Sequence, residues 1–433
     1  MKKKYPESEM MSYGYNPEDY GGAVKCPIFQ TSTFVFPTAE AAKRQFELAY
    51  GLEEAKEGEE LTYIYSRISN PNLEVCEKRL ARWDQAEDCA LFASGMAAIS
   101  TAILSFLKPG DVLLHGHTLY GGTSHFIEEI LPEMGIKPIS FSPHESKEQI
   151  LARLKASGDL SALKMVYAET PSNPTNALVD IAMLRTLIDE VASDKQIILA
   201  VDNTYMGPVW QHPLSHGADL VLYSATKYIA GHSDVIAGAC MGAADLMFQV
   251  RTMRTFMGNM LDPNTAWLIS RSLETLKVRM DRQALNARKV ADFLKGHPLV
   301  KRLYYPGHLE AADGRQYDIF RRQCLSGGGM ISFDIKGGEK EAFAFLNALK
   351  MVKLAVSLGS SESLAEHPAS MTHAGVPVEE RIAHGITDQL VRLSIGLEHY
   401  EDLLADLEQA FLSVGEQVKQ SYERILEGLP MEL

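Results

Sequence analysis

Four short apolar runs constrain the fold more than anything else in the chain: "DVLLHG" (111–116), "KMVYAET" (164–170), "QIILAVDN" (196–203) and "DLVLY" (219–223). Each has strand length and lacks the polar alternation of a sheet with one wet face, so each must be covered on both sides. Between the second and third lies "DIAMLRTLIDEVASD" (180–194), an amphipathic helix by its spacing. In "SGMAAISTAILSFL" (94–107), Ile99, Ile103, Phe106 and Leu107 share a helix face and Ser94 is placed to cap it. Strand, helix, strand repetition predicts an α/β fold with a largely parallel sheet flanked by helices. Ligands bind such sheets beyond the carboxyl ends of the strands.

The chain has 433 residues, comfortable for two domains. Residues 1–70, rich in Tyr, Gly and Pro, read as an extended arm that needs something to wrap around. Its acidic stretch "GLEEAKEGEE" (51–60) reads as a solvated loop. Residues 71–278 hold the sheet and its ligand site. Residues 279–433 form a smaller C-terminal α/β domain, preceded by a helical stretch over about 264–296 and including the glycine turn and strand "SGGGMISFDI" (326–335).

The chain is 46% hydrophobic and 23% charged, as expected of a globular protein with a large core. A net charge of −14 argues against a nucleic-acid partner. No apolar run reaches membrane-spanning length, and the lysines of the start have no apolar stretch behind them as a secretory signal would. Cys26, Cys76, Cys89, Cys240 and Cys324 are odd in number and form no CxxC, which reads as reduced thiols in a cytoplasm.

The residues just past the apolar runs carry the chemistry. "SATK" follows the fourth run and delivers Lys227, "AVDN" ends in Asp202 and Asn203, and "ETPSN" supplies Glu169, Thr170 and Asn173. Taken singly, Lys227 could snorkel past a strand end, Asp202 could cap a turn and Arg392 could make a surface ion pair. Together with Ser94-Gly95-Met96, whose backbone N–H groups could hold a phosphate, they suggest a cofactor with an aldehyde, a ring nitrogen and a phosphate. Pyridoxal 5'-phosphate (PLP) has these three groups. His115 with His117, and His212 with His216, have no third ligand in the sequence, so no metal site is expected. Met253, Met257 and Met260 read as core filler.

"YSRISNPN", "FASGMAAI", "ETPSNPTNALVDI", "AVDNTY", "YSATKYIAGHSDVIAG" and "SLAEHPASMTH…LVRLSIGLE" resemble, in this order, the transsulfuration family of PLP-dependent enzymes. The resemblance spans about residues 20–415. It implies the fold type I, or aspartate-aminotransferase-like, architecture and a homotetramer built as a dimer of dimers. By the same resemblance Lys227 would bind the cofactor aldehyde and shuttle protons, and Asp202 would pair with the ring nitrogen. Gly95, Met96, Ser224 and Thr226 would hold the phosphate, joined by Tyr65 and Arg67 from the neighbouring subunit. Tyr120 would stack on the cofactor ring and help protonate the leaving group. Arg392 would grip the substrate carboxylate, with Ser357 and Asn173 supporting carboxylate and cofactor.

Family members that handle cystathionine usually carry acidic residues where this chain has Ile64 and Val356, and cystathionine γ-lyases tend to have arginine where it has His125. The apolar residues favour a thioether over a second charged amino-acid head. The expected activity is a carbon–sulfur γ-lyase that converts L-methionine or a similar sulfur amino acid to 2-oxobutanoate, ammonia and a thiol. The alternatives are γ-replacement on an O-acyl-homoserine, as in cystathionine γ-synthase or the sulfhydrylase, and cystathionine γ-lyase. Gly122 replaces a cysteine found in many methionine γ-lyases, and Arg254-Thr255 stands where a Lys-Asp pair is associated with that site.

Overall fold

A computed structural model describes residues 4–56, 59, 62–192 and 195–426, with side chains described through 415. Parts of the acidic stretch 51–60, and the ends of the arm and of the C-terminal segment, lie outside the described residues.

Seven strands make the main sheet: β1 Asp88–Phe92, β2 Val112–Gly116, β3 Lys137–Phe141, β4 Leu163–Glu169, β5 Ile198–Asp202, β6 Leu220–Tyr223 and β7 Gly238–Gly242. Their order is β1-β7-β6-β5-β4-β2-β3, with β7 antiparallel to both neighbours and the rest parallel. The four apolar runs of the sequence are β2, β4, β5 and β6, at the centre of this sheet. β1 shows why they are apolar on both faces: Cys89 and Leu91 join one core cluster, Ala90 and Phe92 the opposite one. Helix Gly95–Phe106 covers the second face, with Ser94 Oγ accepting the Ala97 N–H as its cap.

β8 Val300–Tyr304, β9 Met330–Ile335, β10 Lys353–Leu354, β11 Leu364–Glu366 and β12 Leu390–Ser394 form a second sheet, ordered β10-β11-β12-β9-β8. The stretch expected to be helical over about 264–296 is two helices, Pro263–Leu273 and Leu276–Gly296. The second helix serves both cores: Leu276 and Met280 pack beside the main sheet, and Ala287, Val290, Ala291 and Leu294 pack beside the second. The boundary expected at 278/279 falls in its first turn.

The arm contains helices Pro6–Glu9 and Ala39–Ala49, and it docks through Met10, fully buried against the main core. Of the three methionines expected to fill the core, Met260 packs against the main core and Met253 is half-buried, whereas Met257 is exposed at the end of helix Ala244–Met257. No helix among the described residues is long and apolar enough to cross a membrane.

Candidate active site

The carboxyl ends of β4, β5 and β6 converge on a cavity of about 510 Å³. Ser94, Gly95, Met96, Tyr120, Asn173, Asp202, Ser224, Thr226, Lys227, Ser357 and Arg392 all line it. β12 of the second sheet reaches it through Arg392, so the two sheets share the site.

Lys227 sits one turn past β6. Its Nζ donates to Ser357 Oγ at 2.9 Å. Burial, and then the Arg392 cation, push its pKa down to about 8, while Glu366 pulls the other way. The loop around it is fixed by backbone-directed contacts: the Ser224 N–H donates to Thr204 Oγ1 (2.8 Å), and the Ala237 N–H donates to Thr226 Oγ1 (2.9 Å). Ser357 has φ +98°, a left-handed conformation rare for a residue with a Cβ. Its carbonyl accepts from Arg392 Nη2 at 2.9 Å, so both cations of the site hold this one residue.

Arg392 is buried. Its Nη1 pairs with Glu366 Oε1 at 2.8 Å and donates to Asn173 Oδ1 at 2.9 Å. One edge of the guanidinium is therefore tied to the fold, which fixes the aim of the fork.

Asp202 and Glu169 end adjacent parallel strands in direct register. Burial raises the pKa of both carboxyls, and the Asp202 charge raises that of Glu169 further. Asp202 accepts the Thr204 N–H at 2.9 Å, and the Tyr167 hydroxyl donates to it at 3.4 Å. Glu169 accepts the N–H of Tyr120 (2.8 Å) and of Asn173 (3.1 Å), linking the two loops that carry these side chains. A carboxylate at Asp202 would be favoured by a cation brought against it.

At the other side, Gly95 opens its helix directly against Ser224: a Cβ here would stand 2.9 Å from Ser224 Cβ. The glycine allows the helix N-terminus and the Ser224 loop to form one cradle, suited to an anion.

Tyr65 and Arg67 are not among the cavity's lining residues. Tyr65 is exposed, and Arg67 Nη1 donates to the Thr255 carbonyl at 2.7 Å. Ile64 is buried within the arm and also stands apart from the cavity, whereas Val356 lines it. Arg254 lies apart from this cavity: its Nη1 is bonded to Glu77 Oε1 (2.7 Å) and to the Leu91 carbonyl (2.8 Å) inside the core. Gly122 does bear on the site: a Cβ there would stand 2.8 Å from Tyr120 Cε1 and 3.4 Å from Met96 Sδ.

Sequence reasoning missed Tyr205 and Glu366. The Tyr205 hydroxyl donates to Asn173 Oδ1, and Glu366 balances Arg392. Tyr205 lies just beyond "AVDNT" and was open to discovery there. Glu366 had no sequence signal, since only the pairing of β11 with β12 sets it opposite Arg392. His117, expected to lack a third ligand, meets Glu380 and His384 across the fold.

The profile of the family described as Cys/Met metabolism PLP-dependent enzyme matches residues 7–412. The chain is 42% identical over 402 residues to an L-methionine gamma-lyase of Pseudomonas putida, covering 92% of this chain and 95% of that protein. It is 38% identical over 415 residues to a cystathionine gamma-lyase of Bacillus subtilis, covering 96% of this chain and all of the other. Among solved structures, the cystathionine gamma synthase from Xanthomonas oryzae pv. oryzae, in complex with aminoacrylate and cysteine, superposes with a TM-score of 0.85 at 34% identity. That match covers 96% of this chain and 99% of the other.

Proposed function

We propose that this chain, which belongs to the PLP-dependent enzymes of Cys/Met metabolism, is a carbon–sulfur γ-lyase acting on L-methionine or a closely similar sulfur amino acid. With water the reaction yields methanethiol, 2-oxobutanoate and ammonia from methionine. The observation that carries the reading is the composition of one cavity. It combines Lys227, Asp202 and Arg392 with the apolar side chains Ile236, Val356 and Met371. Among the described residues lining it, Arg392 and Lys227 are the only cations, enough for one amino-acid head and none for a second.

The residues fit PLP. The Gly95–Ser224 cradle at a helix N-terminus suits its phosphate, and Met96 and Thr226 extend the same cradle. The buried Asp202 carboxyl suits a protonated ring nitrogen, whose positive charge would reverse the upward push of burial. Lys227 suits the aldehyde, because an amine with a pKa near 8 is available in its neutral, nucleophilic form close to neutrality. When bound, PLP supplies an electron sink that acidifies the hydrogens on the substrate's Cα and Cβ.

The protein's own share is positioning and proton handling. Arg392 binds the substrate carboxylate by two parallel hydrogen bonds, with Asn173 and Ser357 setting its orientation. The lowered pKa of Lys227 lets Nζ take a proton from one substrate carbon and return it to another. Tyr120, which lines the same cavity, would stack on the cofactor ring and supply a proton to the departing sulfur. Glu169 holds the Tyr120 backbone in place for this.

Tyr65 and Arg67 act on the phosphate of a neighbouring copy, and the enzyme is a homotetramer of two such dimers. The exposed apolar residues of the arm support this arrangement. The five cysteines are free thiols, which suits a reducing cytoplasm.

The deciding experiment is product analysis of the PLP-loaded protein with L-methionine. Methanethiol and 2-oxobutanoate in equal amounts are expected. No product from methionine, with thioether formed from O-acetyl- or O-succinylhomoserine and a thiol, would assign γ-replacement instead.

A further inference from the structure

A second group of ligating side chains lies outside the catalytic cavity. His117 immediately follows β2. Facing it, the helix Val378–Ala383 supplies Glu380 and, one turn on at its C-terminal cap, His384. Residues at i and i+4 share a helix face, so both point the same way. His117 Nε2 stands 3.3 Å from Glu380 Oε1, and the rings of His117 and His384 meet edge to face with centroids 3.8 Å apart. One ligand atom from each of the three lies within 4.8 Å of the other two. A tetrahedral zinc with bonds of about 2.0–2.2 Å holds neighbouring ligand atoms roughly 3.3 Å apart, so the His117–Glu380 spacing is already that of a metal site.

The surroundings have the matching chemistry. Glu128 Oε1 stands 3.8 Å from the other ring nitrogen of His117, Nδ1, which is buried and has no hydrogen-bond partner. Metal-bound histidines commonly turn their second N–H to a carboxylate. His117 and His384 also border a cleft of about 660 Å³, which gives an ion a path from solvent.

We propose that His117, Glu380 and His384 bind a divalent transition-metal ion of the zinc type, with Glu128 orienting His117 and water completing the coordination. Two imidazoles and a carboxylate select zinc, cobalt, nickel or copper over magnesium or calcium. The ion ties together two segments that both reach the catalytic cavity. His117 leads into Tyr120, and the chain carrying Glu380 follows Met371 and Thr372, which line that cavity with Tyr120. The segments touch: a Cβ on Gly121 would stand 3.0 Å from the Thr372 carbonyl oxygen. The site is therefore a clamp behind the cavity rim.

The test uses the PLP-loaded enzyme, stripped by chelator and then titrated with zinc chloride against a chelating dye. One zinc per chain is expected, with a higher melting temperature and unchanged cofactor absorbance. Glu380→Gln and His384→Ala should each weaken zinc binding at least tenfold, and Glu128→Gln roughly 10–100-fold. Magnesium chloride should give no shift. Glu380→Gln removes a charge without bulk, so it keeps the test decisive if His384→Ala unfolds. Zinc bound by Glu380→Gln with the parent's stoichiometry and affinity would overturn the proposal. So would a parent that binds zinc no more tightly than the His117→Ala, His384→Ala double variant.

Discussion

Lys227 pays for its reactivity in the folding equilibrium. Its ammonium is buried beside the Arg392 cation, so the folded PLP-free protein releases the proton near pH 8, where the unfolded chain holds it to about 10.5. Below pH 8 both states are protonated, and folding bears the full cost of the buried charge. Between the two values the unfolded state binds more protons, so stability rises with pH, and above 10.5 the cost has gone. Lys227→Met abolishes this titration. In PLP-free protein, the stability of wild type minus variant should climb by about 3 kcal/mol as pH passes through that window. Chemical denaturation at a series of pH values measures it, and a flat difference would mean that the amine is not desolvated. The same cost keeps other charges in place. Arg392 is buried only because Glu366 balances it, and removing one partner of such a pair leaves an uncompensated charge.

At the scale of elements, the cradle depends on how closely β7 passes beneath helix Gly95–Phe106. A Cβ on Gly238 would stand 2.1 Å from the Ser94 carbonyl oxygen and 3.0 Å from Ala98 Cβ. Gly238→Ala must push the strand and the helix N-terminus apart, at a cost of about 1–3 kcal/mol. A lower melting temperature and weaker retention of PLP are expected together, read by thermal melting and by equilibrium dialysis. Gly296→Ala is the control: a Cβ there meets nothing within 4 Å and alanine suits a helix better, so PLP retention should stay at wild type and the melting temperature should not fall. β7 also marks the limit of what the sequence disclosed. The central strands were legible because burial on both faces demands continuous apolar runs. β7, "GACMG", was not, since close approach to the helix replaces large side chains with small ones. β3, "KPISF", was hidden for another reason: it is a sheet edge and partly exposed, so no apolar run was required. In the site, residues next to strand ends were legible, whereas Glu366 and the His117–Glu380–His384 group arise from contacts between distant segments.

At the scale of the whole molecule, the arm poses the question of how many chains make one site. Tyr65 and Arg67 stand apart from the cavity of their own chain, and the arm that carries them exposes Val35 (95%) and Val24 (78%). Apolar residues left in water along an arm are best buried against another copy, which would bring Arg67 to the partner's phosphate cradle. The arrangement predicts complementation. In a mixed dimer of Arg67→Ala and Lys227→Ala chains, one site receives both defects and the other receives neither. Random pairing at equal amounts makes half of the dimers mixed, so activity should recover to roughly a quarter of wild type. Co-expression with two affinity tags, followed by isolation of the doubly tagged species, tests this directly. Recovery requires that Arg67 serve the opposite chain. If each chain completed its own site, the mixed species would have only the summed residual activity of its parents, and the arm would need another explanation.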